Sequence, residues 1–367
     1  MTQELSTQIK NGVGVLTLDA PRSLNSLTLS MVEGLWDILN QWQTNPQVSC
    51  VFLQGSGEKA FCAGGDVRRL YNAIIDDRNN GSNLATEACT DFFTKEYKVD
   101  HLIHRFKKPI IVWGDGVVMG GGIGLFAGAS DRIVTEKSKL AMPEVIIGLF
   151  PDVGGSWFLN KMPDGWGYYL ALTGARLNGA DAIYLGLANH YVFSTAKEDI
   201  LTSLQKIAWS ANTAQNRELV KNTLAGFSTS SPTSDLHKFG STVKKWENAT
   251  SATEYRDLVT KAAENEEWFA RGLKTMNAGS PSSVKVIFEQ LRRTANYTLE
   301  EVFQSELNLA VQCCRHPDFA EGVRALLVDK DQNPKWNPST LDETSTDWIE
   351  GYFKDLWNKG NHPLKDL

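Results

Sequence analysis

The 367-residue sequence has only five cysteines, two of them adjacent, and none forms a C-x-x-C pair. This shortage excludes a zinc knuckle and a disulfide framework, so a reducing compartment is expected. The sequence also lacks any block of five or more like charges, and its formal net charge is −6. A nucleic-acid partner is therefore not expected. No apolar run approaches the roughly 18 residues of a transmembrane helix, so no membrane partner is expected either.

The first ten residues also lack a secretory leader, because no basic segment precedes an apolar core there. We therefore expect a protein that is not exported. Its location would be the cytoplasm if the chain is bacterial, or the mitochondrial matrix if it is eukaryotic.

The first two hundred residues alternate short β-branched runs with helical patterns. The apolar residues between Leu27 and Trp42 recur at helical spacing, and Asn25-Ser26 precede them as the predicted cap. Strands that alternate with helices predict an α/β domain with parallel pairing. The predicted strands are Gly12–Leu18, Val48–Gln54, Pro109–Trp113 and Arg132–Thr135.

After about Phe193 the strand signals end and helical signals replace them. Ser280-Pro281 supplies a cap and a first-turn proline for a helix through Arg293. Thr298-Leu-Glu-Glu301 is a capping box, which predicts a helix to Cys314. The predicted domains are therefore an α/β core over residues 1–200 and a mainly helical region over residues 201–367.

Two glycine-rich segments follow predicted strands, at Lys59–Asp66 and at Gly114–Gly124. Glycine lets backbone N–H groups approach a ligand closely, and a helix start adds the positive end of the helix dipole. Two such clusters suggest an oxyanion hole in which the N–H groups of Gly65 and Gly121 face one oxygen. Each donor could stabilise a transition state by about 3 kcal/mol. Tight backbone packing is the alternative explanation of the glycines.

Glu144 and Asp152 are the only carboxylates in the otherwise apolar or turn-forming segment Leu140–Gly155. Such surroundings desolvate a carboxylate and raise its pKa, which suits acid–base or nucleophilic chemistry. The alternative is that both are structural, with Asp152 capping a helix.

Together the three segments resemble the crotonase (enoyl-CoA hydratase/isomerase) superfamily. The resemblance implies a spiral of strand–strand–helix turns, a ββα superhelix that binds acyl-CoA thioesters. It assigns the oxyanion donors to Gly65 and Gly121, and it places Gly64, Gly120 and Asp66 beside them as substrate-binding residues.

The 3-hydroxyisobutyryl-CoA hydrolase branch is the most similar one. Its hallmark resembles Ala141–Gly155 and assigns the catalytic carboxylates to Glu144 and Asp152, while its Phe-Phe-x-x-Glu-Tyr motif assigns a binding role to Glu96. Its closing motif resembles Phe319–Trp336. Enoyl hydratases carry a second glutamate where this chain has Gly124.

The resemblance implies hydrolysis of a short 3-hydroxyacyl-CoA, as in valine catabolism, to coenzyme A and the free hydroxy acid. The substrate would be 3-hydroxyisobutyryl-CoA, with 3-hydroxypropionyl-CoA as a second candidate. Glu144 would attack the thioester or act as a general base on water. A hydratase or isomerase with Glu144 as its acid–base residue is the main alternative. A dinucleotide-dependent oxidoreductase has only the weak match Gly122-x-Gly124-x-x-Ala127 in its favour.

No metal and no cofactor is expected, since coenzyme A is part of the substrate. The expected partner is the acyl-CoA itself. Crotonases form trimers or hexamers, so the resemblance leaves a homo-oligomer open. Arg22 and Lys59 are candidates for contacts to the phosphates of coenzyme A.

Overall fold

The computed structural model of the chain describes residues 4–81 and 87–367. The strands are β1 (Leu5–Lys10), β2 (Gly12–Leu18), β3 (Val48–Gly55), β4 (Ala60–Cys62), β5 (Ile110–Gly114), β6 (Val117–Met119), β7 (Asp131–Val134), β8 (Lys139–Ala141), β9 (Leu177–Asn178) and β10 (His190–Tyr191). The α-helices are α1 (Leu29–Thr44), α2 (Val67–Asn79), α3 (Glu87–His104), α4 (Gly121–Ala127), α5 (Gly155–Leu159), α6 (Trp166–Thr173), α7 (Gly179–Tyr184), α8 (Lys197–Leu204), α9 (Thr213–Ala225), α10 (Gly240–Val243), α11 (Ala252–Ala263), α12 (Glu267–Ala278), α13 (Pro281–Thr294), α14 (Leu299–Arg315), α15 (Pro317–Val323) and α16 (Thr346–Tyr352).

The strands form two sheets. The larger sheet has the order β1-β2-β3-β5-β7-β10, and the smaller has the order β4-β6-β8-β9. All neighbours in the larger sheet are parallel except β1 and β2, which form an antiparallel pair. The four strands expected from the sequence are present as β2, β3, β5 and β7, within one residue at each end. The predicted α/β class with parallel pairing is confirmed.

The chain folds into two compact units, each assembled from three separate stretches. The first unit consists of Met1–Gly65, Lys98–Ala141 and Arg176–Lys238. One face of its larger sheet packs against α8 and α9, where Phe52, Trp113 and Val192 meet Ile200 and Val220 in a buried apolar cluster. This cluster buries the branched and aromatic residues that the strand pattern supplies.

The second unit consists of Asp66–Tyr97, Met142–Ala175 and Phe239–Leu367. Its C-terminal part is helical, as expected, and both predicted caps are present. The Ser280 hydroxyl accepts a hydrogen bond from the Ser283 amide at 3.0 Å. Thr298 and Glu301 form the reciprocal capping box at the start of α14. The domain division at residue 200 stays a prediction.

The predicted cap of α1 is wrong. Thr28, not Asn25-Ser26, is the N-cap, and its hydroxyl accepts a hydrogen bond from the Met31 amide. Asn25 is fully buried with φ 57°, and its side-chain amide donates to the carbonyls of Ser56 and Ala60, both at 3.0 Å. It therefore fixes the segment between β3 and β4 instead of starting a helix.

The five cysteines are buried, and none of them forms a disulfide bond. In the described ranges, no helix is both long enough and apolar enough to cross a membrane.

Candidate active site

The two glycine-rich segments of the first unit lie side by side. Gly64 follows β4 with φ 106°, a left-handed conformation that favours glycine. A Cβ added to it would lie 3.3 Å from the Met119 carbonyl oxygen and 3.6 Å from the Gly121 nitrogen. Gly121 is the first residue of α4, where a backbone N–H has no partner within the helix. The structure therefore brings the loop of Gly64 and Gly65 next to that of Gly120 and Gly121.

Gly122 sets the distance between the same two segments. A Cβ at this position would lie 2.4 Å from the Cys62 carbonyl oxygen, which is closer than any real side chain allows. Because Cys62 ends β4, the absence of a side chain at Gly122 is what permits α4 to approach the first glycine loop. The close packing at Gly122 therefore also places the backbone N–H groups at the start of α4 beside the first glycine loop.

We expect Gly122→Ala to destabilise the protein by about 1–3 kcal/mol, although alanine is otherwise the better helix former. The new methyl group must push α4 away from Cys62, which also separates the glycine loops. Thermal unfolding measures the first effect, and the distance between Gly64 and Gly121 in a crystal structure of the variant measures the second.

The matched control for this prediction is Gly226→Ala. Gly226 has φ −67°, and its added Cβ has only the Thr223 carbonyl oxygen within 4 Å, at 3.3 Å. Its effect should stay within about 0.5 kcal/mol. Equal stability of the Gly122→Ala variant and the wild type would contradict the close approach described above.

In the second unit, Glu144 begins a short 3₁₀ helix, Glu144–Ile147, directly after Pro143. Its side chain is only 5% exposed, and its Oε2 atom has no hydrogen-bond partner among the residues that the structure describes. Burial raises the pKa of Glu144 well above its ordinary value, and the nearby charges of Asp152 and Glu96 raise it further. An unpartnered buried oxygen with raised basicity is suited to accept a proton or to attack an electrophile.

The closing motif of the sequence supports the 3₁₀ helix of Glu144. Gly322, in α15, lies so close to it that an added Cβ would be 2.5 Å from the Ile147 backbone. The neighbouring Arg324 guanidinium bonds to Glu321 at 2.8 Å, to Asp329 at 2.6 Å and to Asp331 at 2.7 Å. These contacts give the closing motif a structural role beside the 3₁₀ helix of Glu144.

Asp152 and Glu96 lie in the same buried cluster as Glu144. The Tyr97 hydroxyl donates a hydrogen bond to Oδ2 of Asp152 at 2.7 Å. Burial raises the pKa of Asp152 to about 6, and the bond from Tyr97 opposes that rise. Burial and the charge of Asp152 raise the pKa of Glu96 well above its usual value, and its Oε1 atom is unpartnered. The cluster therefore holds protons at a pH where exposed carboxylates do not.

The alternative in which Asp152 caps a helix is wrong. The residue before α5 is Gly154, and no side chain caps that helix. The carboxylate of Asp152 is directed to Tyr97 instead. Asp66, by contrast, is the N-cap of α2, and its carboxylate accepts a hydrogen bond from the Arg69 amide at 3.4 Å. A substrate-binding role for Asp66 stays a prediction.

Sequence reasoning missed Glu306. This residue lies in α14, is 0% exposed, and accepts hydrogen bonds from the Gly154 amide at 2.7 Å and the Ser156 amide at 2.8 Å. Burial raises the pKa of Glu306 to about 8 against the effect of these two bonds. The sequence contains a signal that could have indicated this residue, because Glu306 is a charged residue on the apolar face of α14, at helical spacing from Phe303 and Ala310.

The predicted site residues therefore fall into two groups. The glycines Gly64, Gly65, Gly120 and Gly121 meet in the first unit, and the carboxylates of Glu96, Glu144 and Asp152 meet in the second. The first group presents backbone donors at the start of a helix. The second presents buried acids with free acceptor oxygens. Backbone donors and a basic carboxylate are the two components that acyl transfer requires.

A family model described as "Enoyl-CoA hydratase/isomerase" matches residues 13–353. The chain is 37% identical to a protein of Gallus gallus named "3-hydroxyisobutyryl-CoA hydrolase, mitochondrial", covering 98% of this chain and 90% of the relative. It is 36% identical to the Homo sapiens protein of the same name, covering 99% and 91%.

Two solved structures are similar over nearly the whole chain. One is a carnitinyl-CoA dehydratase from Mycobacterium thermoresistibile, with a TM-score of 0.85, 32% identity and 97% coverage of both chains. The other is an enoyl-CoA hydratase from Rhodobacter sphaeroides, with a TM-score of 0.85, 29% identity, and coverage of 96% of this chain and 98% of that one.

Proposed function

Because the chain belongs to the enoyl-CoA hydratase/isomerase family, the crotonase superfamily, we propose that it hydrolyses a short 3-hydroxyacyl-CoA thioester. The fold is that of the family, a crotonase-like ββα superhelix with a helical C-terminal region. Within the family, the relatives named 3-hydroxyisobutyryl-CoA hydrolase match almost from end to end. The reaction releases coenzyme A and 3-hydroxyisobutyrate, a step of valine catabolism, and 3-hydroxypropionyl-CoA is the second candidate substrate.

The observation that carries the proposal is the composition of the buried cluster. Glu144 has no carboxylate partner at Gly124, the position where two-glutamate hydratases carry one, and Gly124 is itself buried in α4. In their ionised form the unpartnered oxygens of Glu96 and Glu144 are acceptors only. They favour an acyl group that supplies a donor, which a 3-hydroxyl group does and an unsubstituted acyl chain does not.

In the proposed reaction the N–H groups of Gly65 and Gly121 polarise the thioester carbonyl. The Glu144 carboxylate attacks the carbonyl carbon, the C–S bond breaks, and the coenzyme A thiolate leaves and takes up a proton. Water then opens the mixed anhydride, which releases the hydroxy acid and restores the carboxylate. In the alternative route Glu144 removes a proton from water and the resulting hydroxide attacks the same carbon; the C–S bond then breaks, and the coenzyme A thiolate leaves and takes up that proton.

The other groups of the cluster bind the acyl end in this proposal. Asp152 orients the substrate hydroxyl or the attacking water, and Glu96 binds the hydroxyacyl end. Gly64, Gly120 and Asp66 stay candidates for substrate binding.

The route needs no metal and no cofactor beyond the coenzyme A of the substrate. A homo-oligomer stays open, and the location is the mitochondrial matrix or the bacterial cytoplasm. The names of the two eukaryotic relatives support the former.

A hydratase or isomerase that uses Glu144 as its acid–base residue is the second candidate, and the two similar structures, a dehydratase and a hydratase, favour it. One panel of coenzyme A thioesters distinguishes hydrolysis from hydration or isomerisation. The protein is incubated with 3-hydroxyisobutyryl-CoA, 3-hydroxypropionyl-CoA, isobutyryl-CoA and methacrylyl-CoA, and free thiol and enoyl absorbance are followed together. Thiol release from the hydroxylated members supports hydrolysis. Changes in the double bond without thiol release would replace the proposal with the second candidate.

A further inference from the structure

The turn that follows Asp152 is strained. Val153 has φ 54°, a left-handed conformation that a β-branched residue rarely adopts, and Gly154 follows with φ 82°. These two residues reverse the chain between Asp152 and α5. A backbone in this conformation persists only where the surrounding structure holds it.

Glu306 is the group that holds this turn. Its Oε2 atom accepts from the N–H of Gly154 at 2.7 Å, and its Oε1 atom accepts from the N–H of Ser156 at 2.8 Å. Both partners are donors, so only a group with two acceptor atoms satisfies both. A glutamine of the same size would direct its NH₂ group at one of the two N–H groups.

We propose that Glu306 is a positioning residue for Asp152. By binding both amides, it fixes the strained turn and with it the direction in which the Asp152 carboxylate meets the substrate hydroxyl. The Tyr97 hydroxyl fixes the same carboxylate from α3. The part of the inference that concerns the hydroxyl rests on the proposed function, and the part that concerns the turn does not.

The electrostatic surroundings of Asp152 allow a direct test. The titratable groups that interact with it are Glu96 and Tyr97 of α3, Glu144 of the 3₁₀ helix, and Glu306 and Cys313 of α14. The hydrogen bond from Tyr97 lowers the pKa of Asp152 against the effect of burial. A turn released from Glu306 should therefore weaken that bond and raise the pKa of Asp152.

The first experiment compares thiol release from 3-hydroxyisobutyryl-CoA and from isobutyryl-CoA, which lacks only the hydroxyl. In the Glu306→Gln variant we expect the ratio of the two kcat/KM values to fall about tenfold, because a hydrogen bond to the hydroxyl is lost. A merely structural loss lowers both rates together and leaves the ratio unchanged. Glu306→Asp, which keeps the charge but is one methylene shorter, should lower the ratio less.

The second experiment needs no activity. In protein labelled with ¹³C at the aspartate carboxyl carbons, the titration midpoint of Asp152 is measured by NMR in the wild type and in Glu306→Gln. We expect a higher midpoint in the variant, because Asp152 loses part of the hydrogen bond from Tyr97. If the wild type releases no thiol from either thioester, the proposed function is overturned, and this titration still decides the role of Glu306.

Asp318→Asn is the matched control, since Asp318 is also a buried carboxylate with two donors, the Ser280 hydroxyl at 2.6 Å and the Asn337 amide at 2.9 Å. It should lower the melting temperature without moving the substrate ratio or the Asp152 midpoint. An unchanged ratio and an unchanged midpoint in Glu306→Gln would overturn the inference. If that variant does not fold, an unchanged ratio in Glu306→Asp alongside equal loss of both rates overturns it instead.

Discussion

Replacement of Glu144 by glutamine is expected to remove nearly all thiol release from 3-hydroxyisobutyryl-CoA while leaving KM within a few-fold of the wild type. Glutamine keeps the size of the side chain, but its amide is neither a base nor an effective nucleophile. A loss of about 10²–10⁴ in kcat is typical of a missing general base. A loss near about 10⁶ is typical of a missing nucleophile. The size of the loss therefore separates the two routes.

The control for this variant is Glu264→Gln, a substitution at an exposed glutamate that ends α11. It should leave kcat and KM unchanged. Thiol release by Glu144→Gln at the wild-type rate would remove Glu144 from the mechanism.

A single turnover in H₂¹⁸O tests the two routes independently. If Glu144 forms an anhydride and water attacks the protein side of it, ¹⁸O enters the Glu144 carboxyl group, and the mass of its peptide increases. If Glu144 only activates water, all of the ¹⁸O is found in the hydroxy acid.

The free energy of unfolding is expected to fall as the pH rises from 7 to 8, which is the second large effect that we predict. Burial raises the pKa of Glu306 to about 8 and the pKa values of Glu96 and Glu144 well above the ordinary value of 4.5. In the unfolded chain the carboxyl group of Glu306 is ionised at pH 7, whereas in the folded protein it retains its proton. The folded state therefore binds more protons, and the free energy of unfolding decreases with pH. Each such group contributes up to about 1.4 kcal/mol per pH unit.

The other groups with a shifted pKa change the stability of the protein mainly outside the range from pH 7 to 8. Burial lowers the pKa values of His316 and His362 below 6.5, so these histidines change the stability of the protein mainly below pH 7. The carboxylates with a lowered pKa, such as Glu136 and Glu321, act below pH 4.5. Shifted tyrosines, cysteines and lysines act in the alkaline range.

Urea unfolding at pH 7.0, 7.5 and 8.0 measures this slope. In the Glu306→Gln variant the group that titrates in this range is missing, so the slope should be smaller by up to about 1.4 kcal/mol per pH unit. Glu264→Gln should keep the wild-type slope. A free energy of unfolding that stays constant or rises between pH 7 and 8 would show that the buried acids are ionised in the folded protein.

The strands and the two C-terminal helix caps could be predicted because they depend on local patterns. A β-branched run bounded by turn residues, or a Ser-Pro pair before an amphipathic segment, contains the whole signal. Asn25 was misassigned because its role is not local: its side chain binds carbonyl groups more than thirty positions away. Caps and distant anchors use the same residue types, so the sequence pattern does not distinguish them.

The same limit applies to the candidate site. Glu144 and Asp152 stand out because the residues around them in the chain are apolar. Glu306 is separated from Gly154 by 152 positions, and only the folded protein brings them together. The strain at Val153 is likewise invisible in the sequence, since valine predicts an extended backbone.

The interleaved path of the chain has a consequence for synthesis. Neither unit is a continuous segment: the first is complete only after Lys238, and the second only after the last residues of the chain. Glu96, Glu144 and Asp152 thus leave the ribosome long before Glu306, so the acidic cluster spends much of translation without the helix that buries it. A protein with this arrangement depends on late assembly, and a chain that stops before α14 should have an incomplete second unit.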